Sequence, residues 1–363
     1  MTKKIYFFTN PPEYPTTRFR SQQYLSYFHQ YGYTTIFCTS LASSIKKPQS
    51  ESSISVLIFN IARYSTELKN VVNRWQQINQ INDSDSIVYI HSFLTPFLET
   101  DYLAQVVRKK SLRMVLDMDD AIFATNRRTE IKLKKLLPLC DAVIVGNKYL
   151  AEFAHQYQKN THIIPTPIET NYYVPKTDYD TQDEDKITVG WMGGWINLIH
   201  LNLIISSLKN LKSQISNIKI KIVTNIEDLP LNLRNIAELK QWSAEEELAD
   251  LQSFDIGLMP LEDNPFSRGK CSFKLLQYMA VGIPVIASPV GMNNEVVRDN
   301  GFLCSSPEEW LDSLLLLCKN KQLRKKMGAK SRDIVESDYS TEINFIKLHR
   351  ALTGDELNES KLD

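Results

Sequence analysis

At 363 residues the chain exceeds what a single hydrophobic core comfortably fills, so two domains are expected. Its 42 basic and 42 acidic side chains cancel, which argues against a general nucleic-acid binder, and 43% apolar with 23% charged residues is the composition of a globular protein. No apolar run approaches the roughly 20 residues of a membrane span, and the short N-terminal run, broken by Pro11 and Pro12, does not read as a signal peptide.

The first run, 5–9, is a short buried strand, and a Pro-rich loop comes next at 10–17. Residues 18–31 have helical spacing (Tyr24, Leu25, Tyr27, Phe28), with Gly32 as the stop. Further strands are predicted at 34–38, 56–59, 86–90, 114–116 and 142–145, most of them separated by helical stretches. At 173–186 the chain turns polar and aperiodic, which reads as an interdomain linker. The alternation then restarts with strand 187–191, helix 197–211, strand 218–223, helix 244–252, strand 255–259, helix 271–281 and strand 284–288. Helices 307–319 and 323–337 come after, and the tail 353–363 reads as frayed. Alternating strands and helices mean parallel sheets covered by helices on both faces. The five cysteines are scattered, odd in number and lack metal-ligand spacing, so reduced thiols in a cytoplasmic protein are expected.

Three places carry chemistry. In the stretch from Asp255 to Gly291, Arg268, Gly269 and Lys270 fall at a predicted helix N-terminus. Free backbone N–H groups, the helix dipole and two cations would make an anion site there, with Lys274 on the same helix face as Lys270. A diphosphate fits such a place; a solvated basic loop is the competing reading. The second place is the turn after strand 187–191, where Gly193 and Gly194 let backbone approach a phosphate and Asn197 can cap the next helix. Gly-Gly turns also arise for steric reasons alone.

The third is Asp117, Asp119 and Asp120 at a strand end, where like charges raise one another's pKa. The spacing of Asp117 and Asp119 suits a divalent ion; a helix cap is the structural alternative. Arg18 and Arg20, near a helix start, can meet an anionic acceptor or a diphosphate, or simply sit on the surface. His91 also ends a strand, though a lone His is more often structural.

The run Tyr278-Met-Ala-Val-Gly-Ile-Pro-Val-Ile-Ala-Ser288 resembles the E-A-M-A-x-G-x-P-V-I-A-S segment of glycosyltransferase family 4, and Asn293 to Val296 resemble the family's next segment. The resemblance implies the GT-B architecture, two Rossmann-like domains facing each other across a cleft. The N-terminal acceptor domain would be 1–172, joined by a C-terminal helix at 340–352, and the donor domain 187–339. It also implies retaining, metal-independent transfer from a UDP- or GDP-type sugar to a hydroxyl acceptor, in polysaccharide or lipid-linked glycan assembly.

One departure stands out. The family's two Glu, which contact the donor sugar and the ribose, are here Gly269 and Gln277. Gln277 can still hydrogen-bond a ribose hydroxyl. The pattern R-G-K-C-x-F-K-L-L-Q-Y-M-A resembles a variant subgroup. Carried over residue by residue, the resemblance places Gly193, Gly194, Trp242, Arg268, Lys270, Phe273, Lys274 and Gln277 around the donor. Trp242 would flank the base, or be an ordinary half-buried Trp, and Asn225 is a weaker candidate for the same pocket. Asp119 takes the place of a family His near the transferred sugar, with Asp120 beside it as the second catalytic candidate. Arg18 and Arg20 would serve the acceptor or phosphate. The basic stretch 127–137 matches helices with which relatives touch anionic membranes, against a solvated basic face as the plainer reading. The expected partners are a nucleotide sugar and a glycan or lipid-linked acceptor, with a peripheral membrane contact at the inner face and no nucleic acid. Two rivals stay open: a non-catalytic partner protein of the same fold, and a metal-dependent transferase using Asp117 and Asp119.

Overall fold

The computed structural model describes residues 3–41, 53–81, 85–95, 101–176 and 186–357. The chain divides into two compact units, 1–166 with 344–363, and 167–343.

The first unit holds six parallel strands: β1 (Lys4–Thr9), β2 (Thr34–Thr39), β3 (Ile87–His91), β4 (Arg113–Met118), β5 (Ala142–Val145) and β6 (Thr161–Ile163). Their order is β2-β1-β3-β4-β5-β6. Both β3 and β5 are buried along their whole length, as strands of a helix-covered parallel sheet are, although β3 ends in the polar His91. The order reverses between β1 and β3, which pair directly. The helices are α1 (Pro15–Arg20), α2 (Leu25–Gln30), α3 (Ser53–Asn79), α4 (Asp101–Lys110), α5 (Arg127–Leu136) and α6 (Lys148–Ala154).

Two predicted elements change. The helix expected over 18–31 is split into α1 and α2, with Pro15 opening the first. The break falls at Ser21, whose hydroxyl donates to the Thr17 carbonyl at 2.8 Å and competes with the helical backbone. Gly32, at φ +81°, closes α2 as expected. The strand predicted at 56–59 lies instead inside α3, a 27-residue helix. A short β-branched run has no decisive period, and the length of the continuous element settles it. Further along α3, Glu67, Asn70, Arg74 and Ile78 are buried at helical spacing. Arg74 anchors this face through hydrogen bonds to the carbonyls of Thr9, Leu94 and Cys38.

The helix Thr341–Thr353 sends Phe345, Leu348, Ala351 and Leu352 into the core of the first unit, against Phe28 and Tyr24. Of the tail read as frayed, Asp355 pairs with Lys3 at 3.2 Å, and 358–363 lie outside the described residues.

The second unit holds β7 (Ile187–Met192), β8 (Ile218–Thr224), β9 (Glu238–Gln241), β10 (Ile256–Met259), β11 (Val285–Ala287) and β12 (Gly301–Leu303). The order is β12-β11-β10-β7-β8-β9, so direction reverses between β7 and β10. Its helices are α7 (Ile205–Gln214), α8 (Leu231–Arg234), α9 (Glu247–Gln252), α10 (Pro265–Arg268), α11 (Phe273–Ala280), α12 (Asn293–Val296), α13 (Pro307–Lys319) and α14 (Lys321–Ile334). A ten-residue 3-10 segment, Trp195–Ile204, precedes α7. Glycines stand abreast where β7 meets β10: Gly190 pairs with Gly257. A Cβ at Gly190 would lie 2.1 Å from the Phe254 ring, and one at Gly257 would lie 2.4 Å from the Tyr278 ring.

The linker expected at 173–186 is corrected in part. Tyr173 and Lys176 are buried within the second unit, and Lys176 pairs with Asp255 at 2.9 Å. A lysine in a polar run reads as solvated, but a buried carboxylate across the fold draws it in. Residues 177–185 of that stretch lie outside the described residues. The division between the units falls at 166/167 and again at 343/344.

Candidate active site

Ligands of open parallel sheets bind beyond the strand ends where the order reverses. In the second unit that point lies between β7 and β10. The turn Gly193-Gly194 leaves β7, with the Gly193 N–H donating to the Val223 carbonyl at 3.0 Å. Asn225 at the end of β8 accepts from the Trp195 N–H at 3.1 Å, so Asn225 rather than Asn197 holds the start of the 3-10 segment. The Asn197 N–H instead closes the turn on the Gly194 carbonyl.

Lys274, on α11, comes to this turn. A Cβ on Gly193 would stand 2.3 Å from the Lys274 Cε, and the Lys274 ammonium lies 5.8 Å from the Trp191 ring centroid. Lys270 sits over the Phe266 ring at 4.9 Å. Both lysines act on His200, whose pKa is lowered by burial first and then by Lys270 and Lys274. Lys274 and the glycine turn therefore share one place at the switch point, and both lysines lie within electrostatic reach of His200 in the segment that follows the turn.

Arg268 is placed differently from expectation. It ends α10 rather than opening a helix, because Pro265 and the Asn264 side chain, which accepts from the Ser267 N–H, fix the N-terminus of α10 three residues earlier. Its guanidinium is exposed and bound by both oxygens of Asp263 at 2.6 and 3.0 Å. Gly269 is the C-cap of α10. The N-terminus of α11 falls at Phe273, after Ser272 in a left-handed conformation at φ +52°. Ser272 is held there by donating to the fully buried Asn293 at 2.7 Å, and Asn293 donates to the Ser288 carbonyl at 2.9 Å.

Trp242 and Gln277 are joined by two residues that no sequence motif singles out. The Trp242 indole N–H donates to Glu247 at 3.0 Å. The Tyr173 hydroxyl donates to the other Glu247 oxygen at 2.5 Å and accepts from the Gln277 amide at 3.4 Å. Gln277 is 6% exposed, so its amide serves this chain of hydrogen bonds. Neither Glu247, inside a helix, nor Tyr173, in a supposed linker, carries a local signal; tertiary contact alone joins them.

In the first unit the switch point lies between β1 and β3. Here the structure separates the acidic cluster. Asp117 is 1% exposed, and Arg20 grips it through two nitrogens while Tyr89 donates to it as well. Arg20 also donates to the Ile164 carbonyl at 2.9 Å. Arg20 is thus corrected from an acceptor or phosphate ligand to a buried structural cation, because its guanidinium is engaged by the equally buried Asp117. Arg18 stays partly exposed beside the Phe19 ring.

Asp119 pairs with His91 at 3.0 Å. Burial works against the His91 imidazolium, but the charge and hydrogen bond of Asp119 prevail and raise its pKa. Burial likewise disfavours the Asp119 carboxylate, and His91 and then Arg20 outweigh it, holding its pKa at about 2. The backbone turns sharply after His91, with Ser92 at φ +60°. Asp120 comes next, partly exposed. Asp119 and His91 are brought together, while Asp117 is gripped by Arg20 and Tyr89. In α5, Lys132 turns inward to the Thr95 carbonyl and the Phe93 ring, while Arg127 and Arg128 remain exposed. Among the described residues no helix is long and apolar enough to cross a membrane.

Two six-stranded parallel sheets, each wound with helices and each carrying polar loops at its switch point, define a two-Rossmann-domain protein of the GT-B fold. Residues 186–320, which hold the Gly193 turn, Trp242 and both lysines, match the family model described as Glycosyl transferases group 1. Among solved structures, HepE of Anabaena in complex with UDP-glucose is similar with a TM-score of 0.64 at 13% identity, over 97% of this chain and all of that one. WaaG, described as a glycosyltransferase involved in lipopolysaccharide biosynthesis, is similar at 0.62 and 13%, again over 97% of this chain and 100% of its own. A variant of S. aureus TarM, in complex with fondaparinux, alpha-GlcNAc-glycerol and UDP, is similar at 0.59 and 15%, over 77% of this chain. The chain spans 58% of that protein's length. No curated protein sequence matches the chain.

Proposed function

We propose that the chain is a glycosyltransferase that moves a sugar from a nucleoside diphosphate donor to a hydroxyl acceptor in glycan assembly. The observation that carries this reading is Lys274 lying against Gly193 at the switch point, inside the span that matches Glycosyl transferases group 1. A glycine turn and two ammonium groups suit a diphosphate, whose charge grows as the glycosidic bond breaks. Lys270 and Lys274 would stabilise the leaving diphosphate, and Trp242 would flank the base. Gln277 would reach the ribose only by exchanging its Tyr173 contact for a hydroxyl. Phe273, at the first turn of α11, completes the donor subsite. UDP is the donor nucleotide we favour, since HepE and TarM, which share the fold, are each held with UDP or a UDP-sugar.

In the first unit we assign Asp119, oriented by His91, to a hydroxyl of donor or acceptor, with Asp120 beside it. Reaction with retention, without a metal, is our reading of the donor chemistry. The engagement of Asp117 by Arg20 and Tyr89 speaks against the two-aspartate metal rival. Peripheral binding at an anionic membrane through Arg127 and Arg128 is proposed for a lipid-linked acceptor.

The test is thermal-shift binding of UDP-glucose, GDP-mannose and ADP-glucose, with and without chelator, and then donor hydrolysis. Stabilisation by one nucleotide series that Lys274→Ala abolishes supports the donor site. Silence across the panel, with and without magnesium or manganese, favours a non-catalytic GT-B partner instead.

A further inference from the structure

We propose that His200 is a third basic group of the phosphate subsite and that it takes up a proton when a nucleotide sugar binds. This role rests on the donor-site reading and adds a residue which that reading does not use.

His200 lies in the 3-10 segment that starts directly from the Gly193-Gly194 turn. Lys274 reaches the same turn from α11, and Lys270 comes from the loop between α10 and α11. The Glu262 N–H, in the loop after β10, approaches the His200 Nδ1 at 3.5 Å. Nδ1 thus offers its lone pair, which leaves the proton of the neutral ring on Nε2. The charged groups facing His200 are Lys270, Lys274 and, with opposite sign, Glu262.

Without an anion, burial penalises the charged ring, and a third positive charge beside two ammonium groups adds to the penalty. The imidazole is accordingly held neutral, its pKa below the ordinary 6.5. A diphosphate reverses the sign of the local field. The imidazolium then gains an anionic partner, and its pKa rises. Between the two pKa values the bound state holds more protons on His200 than the free state, so affinity falls as pH rises through that window. Below the free-state pKa the ring is charged in both states and the affinity levels off. A rise of one pKa unit corresponds to about a tenfold change in affinity.

A nucleotide sugar is the right probe, because its esterified diphosphate does not titrate near neutrality whereas a free nucleoside diphosphate does. The ring signals of the full chain are tracked by NMR between about pH 5 and about pH 8. They are recorded free and with saturating UDP-glucose, GDP-mannose and ADP-glucose in turn, and His200→Gln identifies the His200 signal. The expected result is a His200 pKa that rises by about one unit on binding, with about tenfold tighter binding at the acid end. His200→Lys, permanently charged, should keep tight binding at the alkaline end and lose the pH dependence. Unchanged signals from the other histidines check that both variants fold. Binding that Lys274→Ala abolishes, but that leaves the His200 pKa unmoved, overturns the proposal and spares the donor-site reading. Binding that survives Lys274→Ala, or no binding by any of the three nucleotide sugars, overturns both.

Discussion

Gly193 stands so close to Lys274 that a single methyl group on the glycine would lie 2.3 Å from the lysine's Cε. The contact joins the turn after β7 to the first turn of α11, and it has no slack. The nearest atom is the far end of a flexible side chain, so the lysine can swing away but not without leaving its place, and the buried Trp191 ring, 3.1 Å from the added methyl, has to give only slightly. Gly193→Ala is therefore expected to unfold at nearly the wild-type temperature while losing at least about tenfold in donor affinity, about 1.4 kcal/mol. Lys274→Ala should abolish donor turnover. Calorimetric unfolding beside isothermal titration with a nucleotide sugar separates the two effects. Unchanged affinity in Gly193→Ala would remove Lys274 from the donor site.

A different consequence is expected at Gly257. A Cβ there meets the Tyr278 ring at 2.4 Å, and that ring cannot retreat: it is fully buried, and its hydroxyl accepts from the Met192 N–H at 2.9 Å. Gly257→Ala should cost about 1–3 kcal/mol or more, the penalty of overpacking a rigid core. Urea unfolding measures it. Wild-type stability would mean that the β10–α11 contact yields more than this packing allows.

The Arg20–Asp117 pair is buried on both sides, and Tyr89 donates to the same carboxylate. Removing one partner leaves a buried charge without its opposite charge, and the hydrogen bonds from Tyr89 to Asp117 or from Arg20 to the Ile164 carbonyl offset only part of its desolvation. Arg20→Ala or Asp117→Ala should each destabilise by about 3–5 kcal/mol. Arg18→Ala, at a partly exposed side chain, should stay within about 0.5 kcal/mol. If Arg20→Ala keeps wild-type stability and instead weakens acceptor binding, the residue belongs to the site after all.

His91 and Asp119 stabilise the fold in a defined pH window. The raised pKa of His91 gives a contribution that is full below the unfolded value of 6.5 and is lost as pH rises through the folded value. The depressed pKa of Asp119 gives one that is full above 3.8 and is lost as pH falls toward about 2. The pair is thus strongest between those two unfolded values. Asp119→Asn should lower stability in that window by about 1–3 kcal/mol and flatten its decline above neutrality. Denaturant midpoints across the pH range measure this. A wild-type slope in Asp119→Asn would show that another group sets the pH dependence.

Much of this protein is written in local pattern. The apolar runs in β1, β3, β5 and β7 have no polar period because both faces of each sheet are covered, and with the alternation of strands and helices they fix a parallel α/β class; β8 alternates Ile with Lys and is read as a strand from that period instead. Gly32, and Ser306 with Pro307 and Glu309, mark helix ends by chemistry that acts within a few residues. The lysine spacing on the way into α11 and the Gly193-Gly194 turn are local as well. What local pattern cannot hold is partnership between distant segments. β6, β9 and β12 are three- and four-residue edge strands, made into strands by the neighbour they pair with. Arg20 reads as a surface cation until Asp117, 97 residues away, arrives beside it. His91 gains its raised pKa from Asp119, and Gln277 its partner from Tyr173, 104 residues back along the chain. Charge and hydrogen-bond energies depend on distance in space and on burial, and only the folded chain sets both.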